Sequence, residues 1–106
     1  MRTINVARDF SRFPAGRYRR NGRTSGEAFR EDLLSAPLSA GETIVVELDG
    51  TIGYGSSFLE EAFGGLVRQL GIQPDTLLKR ITLTSSDPTL IEEIKGYIRS
   101  TEKKNK

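Results

Sequence analysis

Residues 43–71 read Thr43-Ile-Val-Val-Glu-Leu-Asp-Gly-Thr-Ile-Gly-Tyr-Gly-Ser-Ser-Phe-Leu-Glu-Glu-Ala-Phe-Gly-Gly-Leu-Val-Arg-Gln-Leu-Gly71, and this stretch decides the fold. Thr43–Leu48 is a near-continuous run of β-branched and aliphatic residues, the pattern of an interior strand buried on both sides. Asp49-Gly50 ends it, and Gly50, Gly53 and Gly55 allow a tight turn. Leu59, Ala62, Phe63, Leu66, Val67 and Leu70 then recur at the spacing of one helix face. Ser57 and Glu60 have capping-box spacing at its start, and Gly71 is placed to stop it. Gly64 and Gly65 weaken the helix interior, and close packing against the sheet is a reason to keep small residues there.

Working outward, Thr3–Ala7 alternates with Ile4 and Val6 on one face and predicts a first strand. Arg17–Arg23 is a loop or a short edge hairpin punctuated by Gly16 and Gly22. Thr24 and Glu27 form another capping box, opening a helix that carries Phe29, Leu33 and Ala36 and stops at Pro37. Beyond Gly71, 72–79 is a connector with room for one helical turn after Pro74. Arg80–Thr84 is a third strand, and Asp87-Pro88 caps a last helix that buries Leu90, Ile91, Ile94, Tyr97 and Ile98. The order β-α-β-α-β-α predicts an α/β fold with a largely parallel sheet, and leaves room for an extra strand in the arginine region. Right-handed crossovers would gather the loops 49–57 and 84–87 on one sheet edge, the usual edge for ligands, with Ser25 and the arginine segment reaching toward it.

A chain of 106 residues suits one domain, expected over residues 1–100 with a polar tail at 101–106. It has no cysteine and no histidine, which excludes a disulfide framework, a thiol nucleophile, a Ser-His-Asp triad and imidazole zinc ligation. No spaced acidic cluster suggests a carboxylate metal site, and no cofactor is indicated. The Gly50, Gly53, Gly55 spacing is not a dinucleotide fingerprint, and no P-loop lysine follows. No apolar run is long enough to span a bilayer and the first ten residues lack a signal core, so the expected location is the cytoplasm.

The net charge of +2 hides an asymmetry. Residues 1–25 carry seven arginines against Asp9, whereas the remainder holds nine basic and thirteen acidic side chains. Arg17, Arg19, Arg20 and Arg23, with Ser25 beside them, form a candidate anion, nucleotide or nucleic-acid patch, the plain alternative being a solvated loop balanced by the acidic remainder. Ser56 and Ser57 open the strongest helix, where N–H groups converge and an anion or a phosphoserine would be held, unless Ser57 merely caps it. Glu60 and Glu61 are adjacent and point about 100° apart, which predicts a first-turn acidic pair complementing the helix dipole rather than a shared site. Asp49 is a lone acid with no base partner in view.

The stretch Val45–Leu59 resembles the STAS domain, the sulfate transporter and anti-sigma factor antagonist family. Together with Ser25-Gly-Glu-Ala-Phe-Arg30 and Phe58-Leu-Glu-Glu-Ala-Phe-Gly64, it is more specifically similar to a prokaryotic STAS-like family of unknown function. The resemblance implies a small mixed, largely parallel sheet with helices packed mainly on one face. It also implies a non-enzymatic regulatory module that binds a GHKL-type ATP-binding serine kinase, which phosphorylates a serine at the start of the helix after the central strand. Ser57 takes that position and Ser56 the one before it. Gly55 replaces the family's Asp, removing a group that helps place the kinase. Phe58 replaces its Gly and adds bulk that would present an apolar contact. The implied partner surface is Asp49, Gly53, Tyr54, Gly55, Phe58 and Glu61 around Ser57. The alternative function is nucleic-acid or nucleotide binding through Arg17–Arg23.

Overall fold

The computed structural model describes residues 1–101; the 102–106 part of the expected tail lies outside the described residues. Three four-residue strands, β1 (Arg2–Asn5), β2 (Ile44–Glu47) and β3 (Ile81–Thr84), pair in parallel in the order β1-β2-β3. The register sets Ile4 opposite Val46 and Val46 opposite Leu83. Ile4, Ile44, Val46, Ile81 and Leu83 therefore share one face, which is buried, because side chains alternate along a strand. The other face carries Thr3, Asn5, Val45, Glu47, Thr82 and Thr84, all exposed or half-buried. β2 is thus interior to the sheet but covered on one side only. The β-branched run at residues 43–46 reflects strand propensity as well as burial. No antiparallel strand occurs among the described residues, and the arginine region contains none.

Among the described residues, five helices complete the fold. α1 (Val6–Asp9) is a single turn capped by Asn5, so the first strand ends sooner than the alternation predicts, and Val6 enters the core from helical backbone. α2 spans 26–39 in three contiguous pieces, Gly26–Phe29, a π-helical Arg30–Leu34 and Ser35–Ser39. Its cap is Ser25, whose hydroxyl accepts the Ala28 N–H at 3.1 Å, rather than Thr24. Pro37 lies inside the helix instead of ending it. The preceding π segment bonds i to i−5, off the i−4 register on which a proline ring clashes. α3 spans 56–70, again with a π-helical centre at Glu60–Gly64, and ends at Gly71 in the left-handed conformation as its C′ position requires. α4 (Pro74–Arg80) turns the expected connector into two helical turns leading directly into β3. α5 (Pro88–Ser100) is capped by Asp87, with Pro88 at its first position, and packs on the π segment of α3. Thr101, assigned above to the tail, is nearly buried, and its Oγ1 donates to the Tyr97 carbonyl at 2.7 Å.

Phe29, Phe58 and Phe63, each 1% exposed or less, form the aromatic centre of the core on α2 and α3. Phe10 joins them, its ring centroid 5.1 Å from that of Phe29.

Candidate functional site

The parallel topology places the loops after β2 and β3 side by side. Asp49 binds them together. Both of its carboxylate oxygens accept the Ser86 N–H at 3.0 Å, and Oδ1 also accepts the hydroxyls of Ser85 and Ser86. Bonding to the Ser86 amide stabilises the charged form and lowers the Asp49 pKa below the ordinary carboxylate value. Asp49, expected at a partner surface, is therefore the clasp between two loops. With Tyr54 and residues 50–53 and 85–87 it lines an open cleft of about 390 Å³. Tyr54 is half-buried, stacks on Phe58 at 5.9 Å between centroids and donates its hydroxyl to the Leu48 carbonyl at 2.7 Å. Burial raises its phenol above the ordinary value.

The loop turns at Gly50 and Gly53, with φ of +105° and +141°, conformations costly for residues with a Cβ. Gly50 also faces Ala7 so closely that its own Cβ would touch it. Gly55 then acts as N-cap with no side chain to offer, and Ser56 and Ser57 are the first two helical residues of α3. Both serines are exposed. Ser57 caps nothing, which corrects the capping-box expectation and leaves the first turn of α3 without a side-chain acceptor.

Two residues expected at the partner surface are interior. Phe58 is 1% exposed, within 6.3 Å of the Phe10, Phe29 and Tyr54 rings by centroid, because the helical face it occupies is the one against α2 and the sheet. Glu61 is 5% exposed and is held by Arg30, itself 4% exposed, through Arg30 Nη1 to Glu61 Oε2 at 2.6 Å and to the Glu61 carbonyl at 2.8 Å.

Around this buried pair lies a charge network that the sequence reading missed. Arg17 Nη1 reaches Glu60 at 2.5 Å and Glu61 at 3.5 Å, and Arg68 bonds both glutamates from about two turns further along α3. Glu60 and Glu61 therefore do share a site, because guanidinium forks span the angle between adjacent helical positions. Gly65 makes room for it. A Cβ at Gly65 would collide with the Arg30 guanidinium, and one at Gly64 would press on Glu60 and Thr101. The glycine pair thus serves the Arg30 and α5 contacts rather than the sheet. That pair, unexplained by any turn, was the available signal.

Glu60 feels two opposing effects: burial raises its pKa, while hydrogen bonds from Arg68 and Arg17 outweigh burial and lower it. A carboxylate lowered in the folded state contributes stability above its unfolded pKa and loses it as the pH falls through the folded value. Urea unfolding between about pH 7 and pH 3 is therefore expected to show stability falling on acidification, and Glu60→Gln to flatten that fall. An unchanged slope in the variant would show that Glu60 is not its source.

The arginine segment is a clamped loop. Ala15 N–H donates to the Thr24 carbonyl at 2.9 Å and Gly26 N–H to the Gly16 carbonyl at 2.9 Å, closing a turn that holds one short 3-10 piece, Arg19–Asn21. Arg17 is engaged by Glu60 and Glu61, and Arg19 by Glu31 and Asp32 at 2.9 and 2.7 Å. Ser25 is fully buried as a helix cap and offers nothing to an outside anion. Arg20, stacked over Tyr18 at 4.8 Å, and Arg23 are exposed. Of the expected basic patch, half is thus internal charge balance. No cluster of metal-ligating side chains occurs among the described residues, and none of their helices is long and apolar enough to cross a membrane.

A family model described as a STAS-like domain of unknown function matches residues 25–90, from the cap of α2 to the first turn of α5. No curated protein and no solved structure matches the chain. The chain belongs to this STAS-like family.

Proposed function

We propose that this STAS-like chain is a non-enzymatic, cytoplasmic protein-interaction module, and that phosphate on Ser57 releases its partner. The partner class is a GHKL-type ATP-binding protein with serine-kinase activity. The observation that carries this reading is the position of Ser57: exposed, in the first turn of α3, beside the loop 49–55, with no side-chain cap in competition. In the transfer, the Ser57 hydroxyl oxygen attacks the γ-phosphorus of ATP, the bond to the bridging oxygen of ADP breaks, and a base of the kinase takes the hydroxyl proton. The phosphoserine then adds about −1.5 to −2 charges. The helix N-terminus favours that charge. Glu60, one turn on, opposes it less than its charge suggests, because Arg17 and Arg68 already neutralise it. A partner that had covered the hydroxyl must then desolvate a dianion, which expels it.

Ser57→Ala is expected to bind a purified GHKL-type serine kinase from the same organism as the wild type does. Ser57→Asp is expected to weaken binding about tenfold or more, roughly 1.4 kcal/mol. Isothermal titration decides it, and equal affinities for the two variants would remove the switch.

A further inference from the structure

Two large apolar side chains are exposed near this edge, Phe13 at 59% and Ile52 at 74%. They belong to different segments. Phe13 follows α1 and precedes the arginine loop, and Ile52 is in the loop after β2. The two segments are joined by one backbone hydrogen bond, Ile52 N–H to the Arg12 carbonyl at 3.0 Å. Phe13 is itself fixed by its amide, which donates to Ser11 Oγ at 2.9 Å, and Pro14 beyond it is buried. Tethered on both sides, the pair is presented by the fold rather than left on a loose end. Arg12, between the bond and Phe13, is exposed and has no carboxylate within 4.0 Å among the described residues. Asp49, the acid of the loop that carries Ile52, is occupied by Ser85 and Ser86. An apolar spot with one uncompensated cation is complementary to an apolar anchor bordered by a carboxylate.

We infer that Phe13, Ile52 and Arg12 form a docking patch for an acidic protein segment that carries a large apolar side chain. The inference rests on the reading of this edge as a protein-binding surface and specifies the chemistry of the partner. Arg12 and Phe13 lie outside residues 25–90, so the patch adds a contact from the N-terminal part of the chain to the Ile52 loop.

The test is selection of a phage-displayed random peptide library on the intact wild-type chain, followed by fluorescence polarisation with the enriched peptides. Peptides pairing a large apolar residue with Asp or Glu are expected. Their affinity should fall about tenfold or more with Phe13→Ser or Ile52→Ser, and less, with a weaker salt dependence, for Arg12→Glu. Because all three side chains are exposed, thermal unfolding should match the wild type, and a variant that melts early is replaced by Phe13→Gln or Ile52→Gln. Absence of binders, basic or purely polar selected sequences, or undiminished binding by the variants would overturn the patch. So would wild-type self-association, by sedimentation, that Phe13→Ser abolishes, since the patch would then serve a second copy. The same peptides separate this inference from the switch. If Ser57→Asp leaves their binding intact while Phe13→Ser abolishes it, the patch stands without the switch. If only Ser57→Asp weakens it, the patch falls and the switch stands.

Discussion

Replacing Arg30 by Ala is expected to lower the unfolding free energy by about 3–5 kcal/mol, the usual consequence of removing one partner of a buried ion pair. Arg30 is 4% exposed and Glu61 5%. The Arg30 guanidinium satisfies the Glu61 carboxylate and also its backbone carbonyl. Without it, Glu61 keeps Arg68 at 3.2 Å and Arg17 at 3.5 Å but loses its closest cation and its shortest bonds. The double variant Arg30→Met, Glu61→Met is expected to recover most of the loss, because a well-packed apolar pair often equals a buried ion pair in stability. Gly65→Ala should act through the same contact, since its methyl group would occupy the space of the guanidinium. Chemical unfolding monitored by circular dichroism checks all three. A loss below about 1 kcal/mol for Arg30→Ala would mean that the pair is surface-like in energy despite its burial.

Phe58→Ala is expected to cost a similar amount, about 3–5 kcal/mol, as a large-to-small change in a filled core. The ring is 1% exposed and lies 5.8 Å from Phe29 and 5.9 Å from Tyr54 by centroid. Its removal takes one neighbour from each of those rings and opens a cavity beneath the first turn of α3, which carries Ser56 and Ser57. Phe58→Leu keeps most of the volume and should cost much less. A docking residue would behave in the opposite way: binding would suffer and the unfolding midpoint would not move. Measuring both on the same variants assigns Phe58 to the core or to the surface. For a domain whose whole stability is about 5–15 kcal/mol, either alanine variant alone threatens the folded state.

The legibility of the fold followed the periodicity of its residues. The face Leu59, Ala62, Phe63, Leu66, Val67, Leu70 is a helix in the sequence and a helix in the structure, because an apolar stripe of that spacing has one way to be buried. The same holds for the alternation Ile81, Leu83 and for the cap Asp87-Pro88. Short elements were misread where a local bond competes with the pattern. Asn5 caps a helical turn and ends β1 before Val6, and Ser25 displaces Thr24 as the cap of α2.

The site was legible in its placement and not in its contacts. Parallel order alone put the 49–57 loop beside 84–87, and the Asp49–Ser86 clasp lies there. Which residues of the loop face outward could not be read, because a loop has no period. Ile52 went outward, whereas Phe58 is the third residue of α3 and turned inward with its helical face.

The sequence by itself determined the alternation of strands and helices, the parallel sheet, the exclusion of thiol and imidazole chemistry, and the exposed end at which Ser56 and Ser57 stand. Those features depend on residue type and local spacing. Only the tertiary structure decided the pairing of charges: Arg17, Arg19 and Arg30 met carboxylates between 12 and 44 positions away along the chain. It also joined Arg12 and Phe13 to Ile52 across some forty residues, by a single backbone bond between two loops. Long side chains carry no periodic signal of their partner, and the partner exists only after the helices and loops that present it have packed.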